Sequence, residues 1–151
     1  MVFLSWLRKN WLRLAVHVGS LVPLALIAWD YSQGSFLVDP VKEITTRTGR
    51  TALILLMLSL ACTPINTVFG FRGVLRVRRA LGVYAFGYAA LHFLTFVWLD
   101  YALDLELILL GIGDDQFVLV GLAAGVILLA LALTSTKGWQ RRLRKNWKRL
   151  H

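Results

Sequence analysis

The chain has 151 residues, 58% of them hydrophobic, with a mean hydropathy of +0.65; this is more apolar surface than a soluble domain of that length carries, and it indicates a membrane protein. Seventeen Lys and Arg against eight Asp and Glu give a net charge of +9, yet the basic residues fall between apolar runs, as cytoplasmic membrane flanks do, and no nucleic-acid partner is expected. The lone Cys62 lies inside an apolar run, which excludes a disulfide framework or a cysteine metal site and leaves it as a small buried hydrophobe.

Charge-free runs extend over residues 14–29, 51–71, 80–99 and 116–136. About 20 residues cross a hydrocarbon core of about 30 Å, so the last three fit directly. The first completes its crossing with Trp11 and Trp29 in the interface and Arg13 snorkelling. No small-residue cleavage site precedes Asp30, so this run reads as a retained span. Arg8, Lys9 and Arg13 precede the first span, Arg72, Arg76, Arg78 and Arg79 separate the second from the third, and seven Lys and Arg between 137 and 149 follow the fourth. All belong on the cytoplasmic side, which places the N-terminus inside. The loop after the third span carries Asp100, Asp104, Glu106, Asp114 and Asp115 and no Lys or Arg. The loop after the first is mixed, with Lys42, Arg47 and Arg50 against Asp30, Asp39 and Glu43, and dissents mildly from that orientation.

Pro23 and Pro64 are expected to kink their helices or free a carbonyl. Gly121 and Gly125 have the spacing of a close helix contact. Residues 105–111 are apolar but too short to span, and are expected on the outer interface. The octet at 7–14, LRKNWLRL, returns at 143–150 as LRKNWKRL. One short echo does not make a repeat architecture, but if the first copy opens a transmembrane helix, the second starts a fifth.

Three histidines are present, His17, His92 and His151, none of them in a soluble catalytic motif. Imidazole inside an apolar helix is costly, so His92 is a functional candidate, and heme is the cofactor that best suits isolated histidines on membrane helices. Gly82, Ala85, Ala89 and His92 follow steps of three, four and three, which places them on one helix face. That face is either a shallow bed for a macrocycle or a helix-packing groove in which His92 hydrogen-bonds a neighbour. His92 lies thirteen residues beyond Arg79, roughly 20 Å from the cytoplasmic end, whereas His17 and His151 lie near the cytoplasmic boundary. Arg50, Arg78 and Arg79 could pair with heme propionates or a flavin phosphate, or could be topology signals and lipid-phosphate contacts.

The ordered set Asp39-Pro40-Val41-Lys42-Glu43-Ile44, Thr48-Gly49-Arg50-Thr51-Ala52-Leu53, Thr63-Pro64, Arg78-Arg79-x-Leu81-Gly82, Tyr88-Ala89-x-Leu91-His92, Thr134-Ser135-Thr136 and Trp147-x-x-Leu150-His151 covers essentially the whole chain. It resembles the MsrQ (YedZ) heme-binding membrane subunits of bacterial periplasmic protein-methionine-sulfoxide reductase systems, within the ferric-reductase-like transmembrane group. The resemblance implies an all-α integral membrane helical bundle of six helices, of which residues 1–151 hold four and the start of a fifth, a domain expected to be incomplete at its C-terminus. It implies a multi-pass protein of the bacterial inner membrane that binds heme b, with FMN as an optional second cofactor. Electrons would come from quinol or a flavin reductase and go to a periplasmic molybdopterin-containing catalytic subunit, so this chain would be the electron-transfer subunit and not the catalytic one. His92 and His151 match heme-iron ligands, His17 matches a histidine of some members, and Arg50 and Arg79 are the cofactor-contact candidates. Two departures stand out. A further histidine of the family, one helix depth beyond the position of His151, lies past the end of this chain, and residues 45–49, TTRTG, lack the histidine that often precedes the Thr-Gly pair. The competing expectations are a transmembrane reductase with another acceptor, and a heme-free structural membrane subunit.

Overall fold

The computed structural model describes residues 2–35, 39–104, 106, 108, 110, 113 and 116–150, and among these there is helix and no strand. The long helices are α1 (Val2–Ser32), α2 (Pro40–Phe69), α3 (Leu75–Leu94) and α4 (Gln116–Thr134), followed by the short α5 (Lys137–Leu143) and α6 (Lys145–Leu150). Four segments are long and apolar enough to cross a membrane: Asn10–Ser32, Pro40–Phe69, Arg72–Asp100 and Gln116–Thr134. The protein is therefore an all-α, multi-pass membrane protein. It divides into two units, residues 1–95 and 96–151.

In the first unit, α2 begins eleven residues before the apolar run that predicts it. Asp39 caps it, its carboxylate accepting from the Lys42 N–H at 2.9 Å, with Pro40 in the first turn and Glu43 beside the positive helix end. Residues expected in a mixed-charge loop are thus the first turns of a helix. Their charge is balanced on the spot, because Arg47 donates from Nη1 to Asp30 at 2.5 Å and from Nε to Glu43 at 2.8 Å. Lys42 and Arg50, the other two basic residues of that stretch, are exposed. At the other end Gly70 adopts φ +66°, the left-handed conformation that closes a helix, and donates to the Asn66 carbonyl at 2.9 Å.

Thr48, Ala52, Leu55, Ser59 and Cys62 form the buried face of α2, and Val77, Leu81, Ala85 and Tyr88 that of α3. Both sets step by three and four, one stripe per helix. The two stripes form the core, and Leu12 and Val16 of α1 pack against it. Small residues set the spacing: Ala85 is completely buried, and a Cβ added to Gly82 would meet Ser59 Oγ at 3.5 Å. Close backbone approach is what holds membrane helices together, because lipid removes the hydrophobic drive between them.

α1 joins through a repair of its own backbone. Pro23 lies inside it and lacks the N–H that would close the ladder there. One residue on, the Leu24 N–H donates to Tyr88 Oη at 3.0 Å, and that hydroxyl donates to the Ser20 carbonyl at 2.7 Å. The Tyr88 hydroxyl therefore stands between the two partners of a regular helical bond and satisfies both.

In the second unit, a π-helical turn runs into Asp100, and Ala102 and Leu103 take positive φ. Residues 105, 107, 109 and 111 of the segment expected on the outer interface lie outside the described residues. α4 is the most apolar of the four candidate spans and has no buried residue. A Cβ added at Gly121 or Gly125 would meet nothing within 4 Å, so the close contact expected from their spacing is not made among the described residues. The two octets differ in structure. The first lies unbroken within α1, whereas the second is interrupted at Arg144, whose φ of 44° ends α5 before α6 begins.

Candidate functional site

α3 presents three polar rings at steps of four: Tyr84, Tyr88 and His92. His92 is half-buried near the end of the helix, and its Nδ1 lies 2.8 Å from the main-chain carbonyl oxygen of Thr45. A carbonyl only accepts, so Nδ1 carries the proton and Nε2 keeps the lone pair. Nε2 has no hydrogen-bond partner among the described residues. Thr45 engages α3 a second time, its hydroxyl donating to Thr95 Oγ1 at 3.2 Å while Thr95 donates to the His92 carbonyl at 2.8 Å. The ring rests on Gly49: a Cβ there would stand 2.9 Å from Nδ1 and 3.0 Å from Cε1.

A neutral imidazole with one nitrogen bonded to main chain and the other open is compatible with ligation and equally with a helix-to-helix tie. Metal-bound histidines donate their second ring nitrogen to a carbonyl or carboxylate, which fixes the tautomer and raises ligand basicity. The chemistry of His92, a neutral imidazole with Nε2 open, therefore fits what a heme iron would need from the chain. The stripe of Gly82, Ala85 and Ala89 takes the packing alternative, being turned into the α2–α3 seam.

The other candidates lie elsewhere. His17 is exposed on α1, its Nδ1 2.9 Å from Tyr84 Oη, with the two rings edge to face. Tyr84 is eight residues before His92, two turns or about 12 Å along α3, so His17 and His92 are not brought to one point. Arg50 is exposed and lines a cavity of about 160 Å³ with Pro23, Leu26 and Ile27 of α1 and Arg47, Thr51 and Ile54 of α2. Positions 47, 50, 51 and 54 lie across α2 from Thr45 and Gly49 at about 100° per residue, so Arg50 and His92 face different sides of that helix. The cavity is also smaller than the roughly 300 Å³ at which ligand pockets begin. Arg79 is exposed at the other end of α3, and the main-chain carbonyl of Arg78 accepts from Ser59 Oγ at 3.0 Å. His151 lies outside the described residues. Among the described residues no three His, Cys, Asp or Glu gather as a metal cluster.

Sequence reasoning missed Thr45, Gly49, Tyr84 and Tyr88 as partners of the histidines and of α1. A glycine inside a long helix costs about 1 kcal/mol against alanine and therefore signals a packing reason; Gly49 carried that signal.

Residues 48–151 match the family described as ferric reductase like transmembrane component. The chain is 44% identical over 143 residues to the protein-methionine-sulfoxide reductase heme-binding subunit MsrQ of Xanthomonas campestris pv. campestris strain 8004, covering 91% of this chain and 66% of that protein. It is 44% identical over 142 residues to the protein of the same name in Xanthomonas axonopodis pv. citri strain 306, covering 90% of this chain and 65% of the relative. With that of Bordetella pertussis strain Tohama I it shares 39% identity over 136 residues, again 90% of this chain and 66% of the relative. The chain thus spans slightly less than two thirds of the length of these relatives. No solved structure matches it significantly.

Proposed function

Because this chain belongs to the ferric reductase-like transmembrane component family, we propose that it is a heme-binding electron-transfer subunit of the bacterial inner membrane. The observation that carries this reading is the His92 imidazole, fixed in its Nδ1–H tautomer by the Thr45 carbonyl with Nε2 left unpaired. The printed names of the relatives, heme-binding subunits of a protein-methionine-sulfoxide reductase, support it.

In this proposal Nε2 of His92 holds the iron of a b-type heme. His17 and His151 are further ligand candidates, although His17 stands at the level of Tyr84 and does not share an iron with His92. Arg50 and Arg79 remain candidates for a propionate or phosphate contact, Arg50 on a different side of α2 from His92. Bound heme supplies one-electron transfer; the chain supplies the ligand, its orientation and an apolar sheath. The donor is quinol or a flavin reductase, FMN is an optional second cofactor, and the acceptor is a periplasmic molybdopterin-containing subunit that reduces oxidised methionine in proteins. The N-terminus is cytoplasmic, following the basic residues, and His92 then lies in the outer half, toward the acceptor.

A heme-free structural subunit is the second reading, compatible with the same hydrogen bond, since an imidazole that only ties α3 to α2 needs nothing on Nε2. An absorption spectrum of the purified protein separates the two. A Soret band with a dithionite-dependent shift is expected, and its absence sinks the heme reading.

A further inference from the structure

The carbonyl that receives His92 is one that a helix normally hides. In an α-helix the Cα–Cβ bond leans toward the N-terminus, so each side chain covers the turn before it, including the carbonyl four residues back. The Thr45 carbonyl is the one that residue 49 would cover, and residue 49 is glycine. A Cβ at that place would stand 2.9 Å from His92 Nδ1, closer than side-chain carbons approach other atoms, and 3.0 Å from Cε1, tighter than nearly all such contacts, with Cγ at an ordinary 3.5 Å. The seam repeats the device in the opposite sense. The Arg78 carbonyl of α3 accepts from Ser59 Oγ of α2, and the residue four beyond Arg78 is Gly82. There an added Cβ would meet Ser59 Oγ at 3.5 Å, an ordinary contact. The two glycines therefore have the same role with different tolerances: Gly82 can take a methyl group, and Gly49 can do so only by displacing the imidazole.

We propose that Gly49 is a positioning residue for His92: by leaving the Thr45 carbonyl uncovered it admits the ring to α2, sets the proton on Nδ1 and presents Nε2 as the ligating nitrogen. The consequence for iron rests on the heme reading above, whereas the tautomer does not. A hydrogen bond from Nδ1–H to a carbonyl makes Nε2 a stronger electron donor, which favours ferric iron, and losing such a partner typically costs about 10- to 100-fold in metal affinity. Gly49→Ala is accordingly expected to raise the midpoint potential of the heme and to weaken heme binding by about that factor, while Gly82→Ala leaves both unchanged.

The test has two arms, one of them without heme. Nitrogen-15 NMR of histidine-labelled apoprotein in detergent, with His92 assigned by its loss in His92→Gln, should show Nδ1 protonated and Nε2 unprotonated. Gly49→Ala should lose that pattern and Gly82→Ala should keep it. The second arm is a redox titration of the heme-loaded protein and the same two variants. An Nε2–H tautomer in the unsubstituted apoprotein overturns the proposal without any variant, and so does a Gly49→Ala protein whose tautomer and midpoint potential are both unchanged. If the tautomer behaves as expected but the protein takes up no heme, the positioning of the ring stands and the heme reading alone fails.

Discussion

At the scale of single residues, what decides the reading is which nitrogen of an imidazole is engaged. His92 donates from Nδ1 to main chain, whereas His17 meets a hydroxyl that can both donate and accept, so only His92 has its tautomer set by its partner. The arginines are separated on similar grounds. Arg78 enters the α2–α3 seam through its carbonyl, which accepts from Ser59. Arg78→Gln preserves that carbonyl and is expected to change heme content little; loss of most of the heme would assign its guanidinium a cofactor contact. The sequence singled out His92 through the cost of imidazole in an apolar run. It could not give the partner, because Thr45 and His92 are 47 positions apart and a carbonyl has no signature of its own. Gly49 was visible only as a helix-weakening residue without an evident reason.

At the scale of elements, Tyr88 carries the test of how α1 is held. Its hydroxyl closes the gap between the Ser20 carbonyl and the Leu24 N–H, so Tyr88→Phe leaves both backbone groups without that partner, the Ser20 carbonyl in a buried place. The expected loss is about 1–3 kcal/mol of unfolding free energy, read by denaturant unfolding in detergent. Pro23→Ala restores the missing donor and lets the ladder reclose, and the double variant should be less destabilised than Tyr88→Phe alone. Simple additivity of the two changes would mean that hydroxyl and proline are not coupled. Pro23 was legible as a break, but its repair was not, since the repairing side chain comes from another helix. The apolar runs gave the four long helices and missed the early start of α2. Asp39, Pro40 and Glu43 are a helix-start pattern, but charged residues flanking an apolar run are equally typical of a loop. The small-residue stripe of α3 was legible as a face; that it turns into α2 follows from Ser59, Gly49 and Ala52 on the facing helix.

At the scale of the whole molecule, the proposed orientation rests on the distribution of basic residues, to which the loop between α1 and α2 is the one exception. Arg47 is bonded to both Asp30 and Glu43, while Lys42 and Arg50 at the same end of α2 are exposed, so that end alone does not fix the orientation. With Cys62 as the lone cysteine, a Cys62→Ala background permits a direct check by labelling whole cells with a membrane-impermeant maleimide. Asp104→Cys is expected to react and Arg72→Cys to react only after the cells are opened; the reverse pattern would invert the topology. The exposed apolar surface of α4 was legible as a span from hydropathy alone, because lipid, unlike water, places no polar face on a helix.

All three scales meet in the claim that His92 ligates heme iron through Nε2. The most direct measurement is heme per protein, by pyridine hemochrome assay, in the unsubstituted chain and in His92→Ala, each reconstituted in lipid and checked for intact insertion. The account predicts that His92→Ala loses most of the bound b-type heme while inserting normally. An unchanged heme-to-protein ratio in that variant would contradict it.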